Sequence, residues 1–332
     1  MQTQDALAER ETSQTALSAT SARILDLTLS AKSLAASSTS DSTRRAYTSD
    51  LKTFATWCAS LELARFPVTP ETVALYITHL FESGRKMATI ERAMVAIAQV
   101  HRKAKEPSPC THDTVRAVRK GIANTLAKTI GTAPKKKTAV KPDELRAMVK
   151  ACPDTLRGKR DRAVLLLGFV GAFRRSELAS LDVPDVAVVS EGAEVTLRRS
   201  KTDQTGKGAV VGIPTGTDLE TCPVRALRAW LEVAHITDGP LFRTIDRHGH
   251  IGARMSGDAV AQVVKSACVA TKVDPTTYAG HSLRSGFATA ASRAGKSVAA
   301  SMRQTRHKSY PIFMEYVQAA TVFSDCAASG LL

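Results

Sequence analysis

Acidic residues are scarce in this chain. Against 46 lysines and arginines its 332 residues include only 31 aspartates and glutamates, for a formal charge of +15. An excess of this size points to a polyanionic partner, most often nucleic acid, bound in a salt-sensitive way; charge alone leaves ribosomal, membrane-surface and heparin-binding readings open. No run approaches the roughly 18 apolar residues a membrane span needs, so no membrane partner is expected. The first residues mix Asp5, Glu9, Arg10 and Glu11 with polar neighbours and lack an apolar segment, so no signal peptide is expected. There is no Walker-type glycine loop to suggest nucleotide hydrolysis. The six cysteines (Cys58, Cys110, Cys152, Cys222, Cys268 and Cys326) contain no C-x-x-C pair. That argues against structural zinc or a disulfide framework and fits a reducing cytosol. His248-Gly249-His250 invites a metal reading, but no carboxylate or thiol stands at suitable spacing, and a plain loop is expected.

What is present suffices for two domains with separate cores: 43% of the residues are hydrophobic and 23% charged. Residues 1–37 are rich in Ala, Ser and Thr and read as a flexible arm, with one weak helix through Ile24, Leu25, Leu27 and Leu29. Tyr47, Leu51, Phe54 and Cys58 then recur at helical spacing, with Arg44, Thr48 and Lys52 on the polar face. Pro70 opens a second helix that ends near Gly84. A third, over 88–104, buries Ile90, Met94, Ile97 and His101 and turns Arg92, Gln99, Arg102 and Lys103 outward; a fourth covers 114–128. These four make a small all-α module over 38–129. Gly131 to Lys137 is a linker by composition, placed over 130–141. Helices follow from Pro142, at 158–172 and at 175–181. Alternation at Val195 and Leu197, then at Val210, Val211 and Ile213, predicts a small antiparallel sheet of two or three strands, and from Pro223 onward the pattern is helical. The basic run Arg157, Lys159, Arg160 and Arg162 reads equally well as a nucleic-acid patch or a solvated helix end.

The chemistry concentrates in Gly171-Ala172-Phe173-Arg174-Arg175-Ser176-Glu177-Leu178, in His281-Ser282-Leu283-Arg284, and in His307 followed nine residues later by Tyr316. Each alone has an ordinary structural reading, as a surface arginine, a core histidine or a core tyrosine. Together they can handle a phosphodiester without a metal: guanidiniums clamp non-bridging oxygens and a phenol attacks phosphorus. His281 and Arg284, three apart, share a helical face; Glu177, one turn from Arg174, can fix that arginine's orientation; His307 can donate to a phosphoryl oxygen. A free phenol, with pKa ~10, is a poor nucleophile at neutral pH, and two neighbouring arginines favour the phenolate. Lys201 is the best general acid for a leaving 5′-oxygen, with Lys207 the runner-up and a solvated hairpin lysine the alternative.

In order and spacing this set resembles the tyrosine recombinase (phage integrase) family. The resemblance covers about residues 38–330. Within the first module, Trp57-Cys58, Phe66-Pro67, Thr89-Ile90 and His101-Arg102-Lys103 resemble the core-binding domain of its Cre-like members. It implies a mainly α fold with a small antiparallel β-sheet, arranged as a two-domain C-shaped clamp around DNA: an all-α, SAM-like core-binding domain and an α+β catalytic domain over 142–332. Arg174, Lys201, His281, Arg284, His307 and Tyr316 match the family's six active-site positions, with Glu177 as supporting acid. His307 is the common form, where Cre-like members carry tryptophan. Ala172 replaces a frequent glycine, a change expected to matter little.

The implied reaction is strand exchange through a 3′-phosphotyrosyl intermediate, with no cofactor, by a homo-tetramer on two specific duplex sites. The tail Phe323 to Ala328 resembles the helix that such enzymes dock into a neighbouring subunit, with Cys326 where asparagine is common. An accessory DNA-binding protein and a cytoplasmic, nucleoid-associated setting in a bacterium or phage are compatible with it. Arg92 and Asp258 occupy places where Cre-like enzymes enter the major groove, and Arg44, Lys52, Arg102 and Lys103 are further DNA-contact candidates. A type IB topoisomerase, with similar chemistry but DNA relaxation as outcome, and a non-catalytic DNA-binding accessory protein remain the alternatives.

Overall fold

The computed structural model describes residues 22–35, 38–129, 137–198 and 208–322. The chain divides into two compact units, Met1–Pro134 and Lys135–Leu332, and each has its own apolar cluster.

The first unit is helical: α1 over residues 22–35, α2 Asp41–Ser60, α3 Pro70–Glu82, α4 Met87–Lys103 and α5 Asp113–Thr129. Side-chain caps mark two of these helix starts. Ser40 Oγ accepts from Thr43 N, and Thr69 Oγ1 from Thr72 N beside Pro70. The apolar stripes of α2, α3 and α4 bury Phe54, Cys58, Tyr76, Ile77, Ile90 and Ile97, while α1 has every side chain exposed. His101 is a satisfied core histidine: its Nδ1 donates to Ile97 O and its Nε2 accepts from Val68 N, both at 3.0 Å.

The second unit is built around α7, Leu156–Val170, which follows α6, Pro142–Lys150. Residues 163–169 of α7 are buried without interruption, the mark of a central helix covered on all sides. Gly171-Ala172-Phe173 turns the chain into the short α8, Arg175–Ser180. Three antiparallel strands follow, β1 Val186–Val189, β2 Gly192–Leu197 and β3 Ala209–Pro214, in spatial order β1-β2-β3. Val195 of β2 lies opposite Val186 and Val211 and faces the core with Leu197 and Ile213. α9, Pro223–Val233, packs on α7 and buries Trp230, whose indole N–H donates to Leu241 O.

The expectation of a helical pattern from Pro223 almost to the end misses one element. A hairpin intervenes, β4 Arg243–Ile245 and β5 Ile251–Arg254, too short for alternation to show in sequence. Asp246 makes its turn: Oδ1 accepts from the backbone N–H groups of His248 and His250, Oδ2 contacts His250 Nδ1 at 2.9 Å, and Gly249 sits at φ +92°. His250 therefore does have a carboxylate partner, contrary to the sequence reading, and that carboxylate is engaged in shaping the turn. The hairpin also explains the basic run. Arg157 donates to Ile245 O and Asp246 O, Arg160 is buried against Asp161 and donates to Arg243 O, and Arg162 donates to Cys152 O. Arg157 and Arg160 fasten helix to hairpin, while Arg162 ties the helix to the end of α6.

Among the described residues four further helices follow: α10 Gly257–Ala270, α11 Ser282–Arg293, α12 Val298–Thr305 and α13 Tyr310–Thr321. Residues 137–140, linker-like by composition, run beside the start of α11, with Thr138 N donating to Thr277 O and Val140 N to Ser282 O. Among the described residues no helix is long and apolar enough to cross a membrane.

Candidate active site

Five of the residues singled out for chemistry come together at helix ends of the second unit. Arg174 is the N-cap residue of α8, His281 that of α11, and Arg284 lies in the first turn of α11. His307 sits in the short connection between α12 and α13, and Tyr316 projects from the middle of α13. The Tyr316 hydroxyl is 3.3 Å from His281 Nε2, Arg284 Nη2 is 3.5 Å from His307 Nε2, and the rings of His307 and Tyr316 are 5.6 Å apart. Lys201, Lys207 and the tail 323–328 lie outside the described residues.

Local chemistry fixes the two guanidiniums. Arg284 is 1% exposed, and its Nη1 donates to Ala172 O at 2.8 Å. Arg174 is held by Glu177: Oε1 accepts from Arg174 Nη1 at 2.5 Å and Oε2 from its backbone N–H at 2.9 Å. Burial alone would raise the Glu177 carboxyl, but the charges on Arg306 and Arg174 and the bonds from Arg174 outweigh it and hold the group below its ordinary value. Burial, then repulsion from Arg174 and Arg306, pushes Arg284 down to about 9. Three guanidiniums, Arg174, Arg284 and Arg306, around the single carboxylate of Glu177 leave a surplus of positive charge that favours an anion.

Both histidines are biased toward the neutral form. At His307 burial comes first, followed by the charges of Arg284 and Arg174, and the pKa falls to about 4. His281 opens to solvent, yet crowding round its ring, with Arg284 and Arg174 nearby, lowers it as well. The Thr305 hydroxyl donates to Ser301 O, so its oxygen receives Nδ1–H of His307 at 2.7 Å. That leaves His307 Nε2 as an acceptor toward Arg284. Donation from this atom to a phosphoryl oxygen, as the sequence suggests, requires protonation first.

Residues 138–321 match the phage integrase family. The chain is 35% identical over 310 residues to the integrase/recombinase xerD homolog of Selenomonas ruminantium, covering 92% of this chain and 89% of that one. The chain belongs to the phage integrase family. It is a tyrosine-type site-specific recombinase. Recombinase cre of Escherichia phage P1 is 23% identical over 285 residues, covering 80% of this chain and 81% of its own. The fold matches a lambda integrase (75–356) dimer bound to a COC′ core site with a TM-score of 0.60 at 18% identity, covering 88% of this chain and 93% of the other.

Within this family fold, two features escape sequence reasoning. Ala172 adopts a left-handed conformation, φ +45°, so the alanine is not an indifferent replacement for glycine; it carries a strain of about 1–2 kcal/mol. Arg306, hidden in the run Arg303-Gln304-Thr305-Arg306-His307, inserts beneath the site and pairs with Glu177 at 2.9 Å. Nothing in periodicity marks it as different from its exposed neighbour Arg303. The two base-contact candidates are engaged within the molecule: Arg92 forks onto Asp50 at 2.7 and 3.0 Å, and Arg175 Nη1 holds Asp258 at 2.6 Å. Arg44 pairs with Asp41, whereas Lys52, Arg102 and Lys103 have exposed side chains.

Proposed function

We propose that this recombinase cuts and rejoins duplex DNA at a specific site through a 3′-phosphotyrosyl intermediate, to integrate, excise or resolve a mobile element or plasmid. The observation that carries the reading is the Tyr316 hydroxyl lying 3.3 Å from His281 Nε2, beside the buried Arg284 and its partner Arg174. Arg174 and Arg284 hold the non-bridging oxygens and stabilise the charge that builds on phosphorus. The Tyr316 oxygen forms the new bond to phosphorus while neutral His281 takes the phenolic proton; the bond to the 5′-oxygen breaks. Lys201 is the residue proposed to protonate that oxygen. Rejoining runs the same steps backward from the partner strand's 5′-hydroxyl. The phosphotyrosyl bond conserves the energy of the phosphodiester, so the cycle needs neither ATP nor metal.

Four protomers on two sites, linked through exchanged C-terminal helices, are the proposed assembly. A lambda integrase tetramer bound to a Holliday junction shares the fold at a TM-score of 0.55, with 17% identity over 86% of this chain and 74% of that one, which supports the reading. The proposed DNA-binding and catalytic domains span 38–129 and 142–332.

The test is covalent trapping on a duplex nicked near the cleavage site. Tyr316→Phe should abolish the denaturant-resistant adduct and leave site binding nearly intact, because the phenyl ring packs alike but lacks the attacking oxygen. An adduct persisting in this variant would remove Tyr316 from the role.

A further inference from the structure

Arg306 takes no part in the steps above, yet few side chains in the second unit are better connected. Its side chain is 9% exposed and its Cζ lies over the Phe173 ring, 5.2 Å from the centroid. Nη1 donates to Gly171 O at 3.0 Å and to Gln304 O at 2.6 Å; Nη2 donates to Ala172 O at 2.8 Å and to Glu177 Oε2 at 2.9 Å. Its own backbone is left-handed, φ +57°, ψ 41°, a conformation that glycine adopts freely and arginine does not. Two strained non-glycine residues, Ala172 and Arg306, are thus bonded to each other across the floor of the site. Strain of this kind persists only where surrounding contacts over-determine it, and it clusters at functional sites.

We propose that Arg306 is a positioning residue for strand cleavage: it locks the Ala172 turn and, through Glu177, aims the Arg174 guanidinium at the scissile phosphate. An isolated arginine and carboxylate one helical turn apart tend to close into a two-bond fork. Here Glu177 Oε2 is occupied by Arg306 and by the backbone N–H of Arg174, so the Arg174 side chain can use only Oε1. Among the described residues its Nε and Nη2 make no hydrogen bond and stay available to phosphate oxygens. The same Ala172 carbonyl that receives Arg306 also receives Arg284 Nη1. Arg306 therefore sets both guanidiniums against one another from below without touching the phosphate.

This inference rests on Arg174 and Arg284 acting as the phosphate clamp, and the experiment separates the two ideas. Single-turnover trapping on the nicked duplex at saturating protein would be measured for the full chain and for Arg306→Gly, Arg306→Lys, Glu177→Gln and the double variant Arg306→Gly/Glu177→Gln. Binding would be measured in a Tyr316→Phe background, and folding by thermal melting. Glycine suits the left-handed backbone, so Arg306→Gly relieves local strain while removing the guanidinium. Cleavage should slow by about 10²-fold, the scale of a small misplacement of a reacting group, with DNA affinity unchanged. Guanidinium ion at millimolar concentration should recover part of the rate by refilling the vacated site. Arg306→Gly should add little to the loss already caused by Glu177→Gln. Arg306→Lys keeps the charge but has one nitrogen in place of two, so it cannot serve all four acceptors (Gly171 O, Gln304 O, Ala172 O and Glu177 Oε2) at once and should fall between glycine and wild type.

Wild-type cleavage by folded Arg306→Gly or by Arg306→Lys would overturn the proposal, as would losses from Arg306→Gly and Glu177→Gln that simply multiply. If Arg306→Gly melts before assay, the lysine variant alone decides. Failure of the clamp reading looks different: Arg174→Ala would then cleave normally whatever Arg306 does.

Discussion

At the scale of single residues the site is a contest between burial and charge. Arg284 stays buried because Ala172 O takes one of its donors and His307 Nε2 lies 3.5 Å from another. If Arg174 and Arg284 clamp the phosphate as proposed, removing either should harm the transition state more than the ground state. Arg174→Ala and Arg284→Ala should each cut the rate of covalent trapping by about 10²–10³-fold, with a smaller loss of affinity; equal losses in trapping and binding would assign them to binding alone. His307 offers a prediction in pH. Its pKa is lowered from 6.5 to about 4 in the folded DNA-free protein. Above pH 6.5 both folded and unfolded forms are neutral and its contribution to stability is fully present. Between 6.5 and 4 the unfolded chain takes up a proton that the folded one refuses, so stability falls as pH falls through this window. Denaturant midpoints from pH 7 to 4 should decline less steeply for His307→Gln than for wild type; parallel declines would refute the assignment.

At the scale of elements the candidate catalytic side chains depend on how α11 is seated. Gly286 lets that helix meet the chain entering the unit: a Cβ there would lie 2.2 Å from Val140 O and 3.0 Å from Phe169 Cε2. Gly286→Ala should push α11 away, destabilise the protein by about 1–3 kcal/mol in urea unfolding, and slow trapping because His281 and Arg284 move with the helix. An unchanged urea midpoint would show that the contact yields easily. The helices were legible in sequence because their apolar stripes and start signals are local: Pro70 and Pro142 start α3 and α6 where expected. The β4–β5 hairpin was not, since strands of three and four residues carry too little alternation and are held by Arg157 and Arg160 from a helix about 85 residues away.

At the scale of the whole molecule, the surplus of 15 positive charges sets how the recombinase meets DNA. Arg92, Arg160, Arg174 and Arg254 are paired with carboxylates, so the exposed remainder, including Lys52, Arg102 and Lys103, supplies the field. Affinity for non-specific duplex should fall about 10³–10⁵-fold between 50 and 200 mM salt if ~6–10 phosphates are engaged; a flat salt response measured by fluorescence anisotropy would contradict this. The residue types needed for the chemistry, their order and the helices that carry them were determined by sequence, because G-x-x-R, H-x-x-R and the spacing of His307 to Tyr316 are local patterns. Only the tertiary structure decided that Arg306 underlies Arg174, that Glu177 serves two arginines and that Arg92 and Asp258 are already engaged. Those facts depend on which distant backbone carbonyls and carboxylates a long, flexible side chain can reach once the helices have packed, and no periodicity in the chain encodes that reach.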